Sequence, residues 1–305
     1  MIPSPSHAPV LLEAVCRLAA GSARAVDGTL GHGGHAAALL DLGLAVLGVD
    51  RDPEARAIAT AHIGAHPGFR VLAGTYDDPG VLAEMRAFRP DVILLDLGVS
   101  SKQFDDDTRG FTFRPGAPLD MRMSGEGPTA ADLLNTADDV TLANWFYDYG
   151  DEKKSRALAR EVIRRRGHAA FAVSDDLVKA IRSVLGPRSG PGDFARLFQA
   201  MRIAVNDELA GLGRALPVMR EALVPGGRLM VMTYHSGEDR LVKHLFREWA
   251  ARCVCPPIQP ICTCRGRALG RLEPRKPIEA DAAEREANPR SRSARLRVFV
   301  NEETA

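Results

Sequence analysis

Residues 25–35, a short apolar run followed by a glycine-rich turn, constrain the fold more than any other part of this chain. The apolar run ends in the acid Asp27, and glycines follow at positions 28, 31, 33 and 34. Glycine lets the backbone turn sharply and lie close to a ligand, where a β-carbon would collide. The alanines and leucines of residues 36–40 favour a helix. The pattern therefore predicts a strand, a tight turn and a helix, the start of an α/β unit.

A second acid, Asp50, ends the apolar run of residues 46–50. At the tip of the second strand of a parallel sheet, a carboxylate can accept hydrogen bonds from the two hydroxyls of a ribose. Together with the glycine turn, Asp50 predicts a pocket for a nucleoside cofactor. A tight turn that binds no ligand is the alternative.

The identity of the cofactor depends on Asp27. Gly31, Gly33 and Ala36, with an acid about twenty residues further on, also satisfy the dinucleotide fingerprint. An acid at the tip of the first strand would repel a pyrophosphate, whereas S-adenosylmethionine carries an ammonium and a sulfonium and no phosphate. The sequence therefore favours S-adenosylmethionine, and an NAD-dependent dehydrogenase is kept as an alternative.

Two further strands extend the α/β pattern. Residues 69–73 precede Tyr76, an aromatic that could pack on an adenine ring or belong to the core, and residues 91–97 form an apolar run containing Asp96. Since the carboxyl ends of parallel strands share one edge of the sheet, Asp27, Asp50 and Asp96 should converge there.

The α/β rhythm stops after residue 104 and resumes with a strand over 228–233. Residues 129–197 show only helical patterns, and a single long helix is predicted over 198–216. We therefore predict a helical insertion over 105–195, within a Rossmann-like domain made of residues 1–104 and 196–305. A basic stripe in the insertion could bind phosphates or be a solvated face neutralised by Glu152 and Glu161; it comprises Lys153, Arg156, Arg160 and Arg164.

The bulk composition excludes some classes of protein. A formal net charge of +1 over 305 residues excludes a globally basic nucleic-acid coat, so any nucleic acid must bind through local patches. The first 25 residues lack a secretory leader pattern, and no apolar run reaches the length of a membrane span. We expect a cytoplasmic protein that does not contact a membrane.

Four of the five cysteines cluster at positions 253, 255, 262 and 264. They could offer four thiolates to zinc, but the spacing differs from the usual paired two-residue gap. The sequence leaves zinc binding open, and no metal site is assigned from it.

Taken together, these segments resemble the bacterial small-subunit ribosomal RNA methyltransferases that methylate the exocyclic N4 of a cytosine, the RsmH (MraW) family. The resemblance runs almost from end to end of the chain. It rests on residues 7–11, 27–35, 50–53, 95–101, 109–113, 119–123, 198–203, 235–236, 238–240 and 288–290. The family's fold, as the resemblance implies it, is an α/β class I S-adenosylmethionine-dependent methyltransferase sheet with a helical insertion.

The resemblance also implies the site and the partner. The cofactor, S-adenosyl-L-methionine, would contact Gly33, Gly34, His35, Asp50, Tyr76, Asp96 and Gln103. The substrate would be a cytosine in the decoding region of 16S ribosomal RNA, within the assembled small subunit. Naked RNA as the substrate, a homodimer, and a non-catalytic RNA-binding assembly factor stay open.

The chemistry needs the cytosine amine oriented towards the methyl group, because the amine's lone pair is delocalised into the ring. Asp96 is the predicted catalytic residue, since its carboxylate could accept the amine's hydrogens. His235 is a second candidate, with a structural histidine as the alternative. The target base must be presented outside a stack, and Phe111 and Phe113 are candidates to hold it.

Overall fold

The computed structural model describes residues 9–98, 106–256, 258–259 and 261–302. His7 and Gln103, and residues 99–101 of the motif at 95–101, lie outside the described residues. The chain forms two compact units, the first from Met1–Gly98 with Ala210–Ala305 and the second from Val99–Leu209. These bounds place more of the chain in the second unit than the predicted insertion over 105–195 does.

A seven-stranded sheet forms the centre of the first unit, with strand order β3-β2-β1-β4-β5-β7-β6. Strands β1 to β5 are parallel, and β7 runs antiparallel to both β5 and β6. The strands are β1 (Arg24–Asp27), β2 (Ala45–Asp50), β3 (Phe69–Ala73), β4 (Val92–Asp96), β5 (Arg228–Thr233), β6 (Gly270–Leu272) and β7 (Arg295–Asn301).

Helices cover both faces of this sheet. They are α1 (Leu12–Ala19), α2 (Gly34–Asp41), α3 (Pro53–Ile63), α4 (Pro79–Phe88), α10 (Glu208–Ala222, which begins in the second unit), α11 (Ser236–Ala250) and α12 (Ala282–Ala287). The starts of α3 and α4 follow from sequence: Asp52 and Asp78 each accept a hydrogen bond from the backbone two residues on, and each is followed by proline at the first helical position.

The central strands are buried on both faces, as their apolar runs predict. Along β4, Ile93 and Leu95 join the core on one face, while Val92 and Leu94 join the core on the other. All four side chains are fully buried. This two-sided burial explains why β4 is almost continuously apolar rather than alternating.

The second unit is helical, as predicted for the insertion. It contains α5 (Ala130–Thr136), α6 (Asp139–Asn144), a π-helical turn (Trp145–Tyr149), α7 (Ser155–Arg166), α8 (Ser174–Leu185) and α9 (Pro191–Asn206). Its separate core includes Phe111, which is 9% exposed, and Phe113 packs against the rings of Phe194 and Phe198. These packing contacts leave little of the Phe111 ring free to stack on a base.

The single helix predicted over 198–216 is wrong. The chain forms two helices there, α9 and α10, and Asp207 between them has a left-handed backbone with φ of 50°. Aspartate tolerates this conformation better than most residues, so it can end one helix without glycine. The apolar periodicity continues across the break, which is why the sequence pattern did not show it.

Within the described ranges, no helix combines the length and the apolar character needed to cross a membrane.

Candidate active site

Three acids lie at one edge of the sheet, as predicted. Asp27, Asp50 and Asp96 are the last residues of β1, β2 and β4. Since β1 lies between β2 and β4 and all three strands are parallel, their carboxyl ends meet at the same edge. The acids also act on one another, because the charges of Asp96 and Asp50 both raise the pKa of Asp27.

The glycine turn between β1 and α2 is required by the chain's own packing. Gly33 has a φ of 80°, which side chains rarely adopt. A β-carbon on Gly34 would lie 2.5 Å from Cγ of Pro9, and one on Gly28 would lie 2.5 Å from Cδ2 of Leu95. The turn therefore needs glycine with or without a ligand, and the predicted cofactor contacts of Gly33 and Gly34 stay predictions.

Asp50 is held by backbone donors on both carboxylate oxygens. The N–H of Gly31 donates to Oδ2 and the N–H of Asp52 donates to Oδ1, each at 2.8 Å. Burial raises the pKa of Asp50, although these hydrogen bonds act in the opposite direction. A carboxylate oxygen accepts more than one hydrogen bond, so the fixed group can also receive ribose hydroxyls.

Asp27 is the most deeply buried of the three acids, with 1% of its surface exposed. Burial raises its pKa to about 7, the charges of Asp96 and Asp50 add to the shift, and the N–H of Thr29 opposes it. Its proton is therefore held weakly near neutral pH. A cation placed at this edge would lower the pKa of Asp27 and favour the carboxylate.

Asp96 is paired with a residue that sequence reasoning missed. The hydroxyl of Tyr234 donates to Asp96 Oδ1 at 2.6 Å, and the backbone N–H of Asp96 donates to Thr29 Oγ1. Burial raises the pKa of Asp96 to about 6, the Tyr234 hydrogen bond opposes this rise, and the charge of Glu238 adds to it. The strand register brings the two residues together, since Asp96 pairs with Met232 and Tyr234 follows two residues later, but the sequence does not show where the Tyr234 side chain points.

His35 is buried and neutral. Its Nε2 lies 3.0 Å from the carbonyl oxygen of Val10, and burial lowers the pKa of the imidazole to about 4. The neutral ring donates to that carbonyl and ties the chain before α1 to the start of α2. This hydrogen bond does not test the predicted contact of His35 with the cofactor.

Tyr76 is 8% exposed and belongs to the core on the face formed by Val26, Leu47 and Leu95. Its Cβ lies 3.6 Å from the position a β-carbon would take on Gly28, so the residue does lie beside the glycine turn. The position agrees with both sequence readings, a core aromatic and a wall of the cofactor pocket.

His235 caps the N-terminus of α11. Its Nδ1 accepts from the N–H of Glu238 at 3.4 Å, and Glu238 Oε2 accepts from the N–H groups of Tyr234 and His235. These reciprocal bonds form a capping box, which gives His235 a structural role, while its predicted part in catalysis stays a prediction.

The parallel sheet, the glycine turn after its first strand and the acids at its edge define a class I S-adenosylmethionine-dependent methyltransferase. The model of the MraW methylase family matches residues 4–302, and the chain belongs to this family. The resemblance seen in the sequence, the fold class and S-adenosyl-L-methionine as the methyl donor are thereby confirmed, and the dehydrogenase alternative is wrong.

The relatives are similar over nearly their whole length. The "Ribosomal RNA small subunit methyltransferase H" of Gemmatimonas aurantiaca is 54% identical over 300 residues, which cover 96% of this chain and 94% of the relative. The protein of the same name from Rubrobacter xylanophilus is 47% identical over 305 residues, covering 96% and 95%. That from Myxococcus xanthus is 45% identical over 295 residues, covering 96% of each.

Proposed function

We propose that this methyltransferase transfers the methyl group of S-adenosylmethionine to the exocyclic N4 of a cytosine in 16S ribosomal RNA of the small subunit. The proposal rests on one observation: relatives named as small-subunit ribosomal RNA methyltransferases are 54% and 47% identical to this chain, over 96% of its length. We also propose that the enzyme acts in the cytoplasm, where small subunits are assembled.

The predicted cofactor residues fit a cationic nucleoside. Asp50, oriented by Gly31 and Asp52, would accept the ribose hydroxyls, and Gly33, Gly34, His35, Tyr76, Asp96 and Gln103 complete the proposed set. The bound cofactor supplies a methyl group on a positively charged sulfur. The raised pKa values of Asp27 and Asp96 support this choice, because a nearby cation would stabilise carboxylates that burial destabilises.

Asp96 is the proposed catalytic residue. Tyr234 occupies its Oδ1, while Oδ2 has no hydrogen-bond partner within the described part of the chain. Methyl transfer from the bound cofactor would leave the cytosine nitrogen with a proton to lose. The amine's proton then passes to the carboxylate. A pKa of about 6 leaves Asp96 mostly ionised at neutral pH and able to accept that proton.

The helical unit offers a basic surface for RNA. On and just before α7, four cationic side chains are exposed: Lys153, Arg156, Arg160 and Arg164. Arg164 shares Glu161 with Arg165, so part of the stripe is neutralised as the solvated-face reading requires, whereas Glu152 pairs with Arg196 outside the stripe. We propose that the remaining cations contact RNA phosphates, which suits a chain whose net charge is only +1.

Nucleoside mass spectrometry tests the proposal. Small subunits that lack the modification are incubated with the purified protein and S-adenosylmethionine, in parallel with naked 16S RNA and with the Asp96→Ala variant. We expect N4-methylcytidine to form with the wild-type protein and turnover to be abolished in the variant, with assembled subunits as the better substrate.

The outcomes separate the alternatives. Methylation at another atom would contradict the N4 assignment, and near-normal turnover by Asp96→Ala would rule out both roles of this acid. Absence of any methyl transfer, with cofactor binding and subunit binding both demonstrated, would identify a non-catalytic assembly factor.

A further inference from the structure

Four thiol groups meet in the segment that connects α11 to β6. Cys262 Sγ lies 3.7 Å from that of Cys253, 4.0 Å from that of Cys255 and 3.5 Å from that of Cys264. The sulfurs of Cys253 and Cys264 are 3.8 Å apart, and all four lie within 4.8 Å of one another. The cluster is thus three-dimensional, with one sulfur close to each of the others.

These separations match a tetrahedral metal site. With a zinc–sulfur bond of about 2.3 Å, the edge of a regular tetrahedron of four sulfurs is about 3.8 Å. Two disulfides would instead bring sulfurs together in pairs at about 2.05 Å. We propose that Cys253, Cys255, Cys262 and Cys264 bind one zinc ion. The sequence spacing alone assigned no metal, because only the folded backbone shows that the two pairs face each other.

The connecting segment has little else to hold it. None of the described residues within 251–268 is buried, and Ile258 and Ile261 are 92% and 74% exposed. A segment without a hydrophobic core needs a metal or covalent cross-links to fix its conformation. Gln259 Nε2 donates within the segment, to the carbonyl of Ile261 and to Thr263 Oγ1. Arg265 donates to the carbonyls of Glu248 and Ala251 and so attaches one point of the segment to the end of α11.

A backbone donor also points at the cluster. The N–H of Val254 donates to Cys264 Sγ at 3.4 Å. Bonds of this kind stabilise the negative charge of metal-bound thiolates and orient them.

The location indicates a structural rather than a catalytic metal. Helix α11 begins beside Tyr234, at the edge of the sheet that carries Asp27, Asp50 and Asp96, here called the active edge. Its 15 residues extend about 22 Å away from that edge before the cysteines begin. The N–H of Leu269 then donates to the carbonyl of Trp249, which returns the chain to the end of α11. Four thiolates fill the coordination shell and leave no open position for substrate.

Metal analysis of the full-length chain tests the proposal. The protein is purified with a reductant and zinc chloride, passed through gel filtration in metal-free buffer, and assayed for zinc by mass spectrometry. We expect one zinc per chain in the wild type and in Cys16→Ala, a control at the fifth and remote cysteine. We expect none in Cys262→Ser. Cobalt should replace zinc and give the intense visible bands of a tetrahedral thiolate site.

A second measurement uses only the wild-type protein, so its result does not depend on whether Cys262→Ser folds. In the native wild-type protein, a chelator should expose four additional thiols to a thiol-reactive dye. Cofactor affinity should be unchanged by the chelator, so failure here is distinguishable from failure of the proposed function. Wild-type protein without retained zinc, equal zinc in Cys262→Ser, or disulfides in protein purified with reductant would overturn the site.

Discussion

At the scale of single residues, the proposed chemistry depends on the pair formed by Asp96 and Tyr234. The phenol donates to a carboxylate whose pKa is already raised by burial, and this bond holds the pKa lower than burial alone would. We therefore infer that Tyr234 is a positioning residue, whose hydrogen bond favours the ionised form of Asp96 and orients its carboxylate.

We expect Tyr234→Phe to keep the fold and to lower methyl transfer. A hydrogen bond to a charged group contributes about 1.5–3 kcal/mol, which corresponds to a loss of roughly 10- to 160-fold in rate. Because the pKa of Asp96 should rise when the donor is removed, the acid limb of the kcat/KM profile should move to higher pH. Steady-state assays across a pH series measure both effects.

Tyr147→Phe is the matched control, since Tyr147 is 61% exposed. It should leave the rate and the pH profile unchanged. A Tyr234→Phe enzyme that loses rate with no shift of the acid limb would show that the hydroxyl acts independently of the Asp96 proton.

Some residues of the site could be predicted from the sequence, and others could not. Asp27, Asp50 and Asp96 could be placed because each ends an apolar strand, and parallel strands bring their ends together. Tyr234 could not, because its role depends on the side-chain direction just beyond β5. The glycines were expected to admit a ligand, whereas Gly34 is also needed by a proline from the distant segment before α1.

At the scale of elements, a buried ion pair joins α11 to β7. Arg297 donates to both carboxylate oxygens of Asp239, at 2.7 and 3.0 Å, and the two side chains are only 10% and 12% exposed. This pair holds the pKa of Asp239 below its usual value, although burial acts to raise it. The stabilisation is therefore present above the ordinary carboxyl pKa and is lost as the pH falls through the folded value.

We expect Asp239→Ala to destabilise the protein by about 3–5 kcal/mol, because it leaves a buried guanidinium without its bidentate partner. Urea unfolding followed by circular dichroism at neutral pH measures the change. The double variant with leucine at positions 239 and 297 should recover part of the loss, since it removes the buried charge as well.

Glu84→Ala provides the comparison at an exposed pair. Arg70 and Glu84 are 3.0 Å apart but 55% and 48% exposed, so this change should cost less than about 0.5 kcal/mol. Equal losses at the two pairs would contradict the argument from burial.

Elements differ in how well a sequence predicts them. The strands over 69–73 and 228–233 coincide with β3 and β5, because apolar runs between turn residues are distinctive. The three-residue β6 carries no periodicity at all, and it exists only because β7 offers it partners. The break at Asp207 was hidden because one residue changed conformation within a continuous apolar pattern.

At the scale of the whole molecule, the active edge brings together acids whose charged forms are destabilised by burial. The pKa values of Asp27 and Asp96 lie at about 7 and about 6 in the fold, well above 3.8. Between about pH 4 and pH 6 these two acids hold two more protons in the fold than in the unfolded chain, whereas His35, with its pKa lowered to about 4, holds one fewer. The free energy of unfolding should therefore fall as the pH rises from about 4 to about 6.

Cofactor binding should show the opposite dependence. We expect the affinity for S-adenosylmethionine to rise between about pH 5.5 and about pH 7.5, by up to about tenfold per pH unit below the pKa, because its sulfonium favours the carboxylates. S-adenosylhomocysteine has the same ammonium and ribose but an uncharged sulfur. Calorimetric titration of both ligands should therefore give a ratio of dissociation constants that changes with pH.

Parallel pH profiles for the two ligands would show that the acids do not sense the sulfonium. The Asp50→Asn variant provides an internal comparison. It should weaken both ligands alike, because the ribose is common to them.

The position of β7 has a consequence for the order of folding. It is an interior strand of the sheet, paired with β5 over six residue pairs, yet Thr233 and its neighbour Arg295 are 62 residues apart in the chain. Until that long loop closes, β5 presents an unpaired apolar edge, the kind of surface on which partly folded chains aggregate. The proposed zinc site lies within this loop and would shorten the flexible chain between β5 and β7, which lowers the entropy cost of pairing them. The time for which the edge of β5 stays unpaired would therefore depend on metal binding by Cys253, Cys255, Cys262 and Cys264.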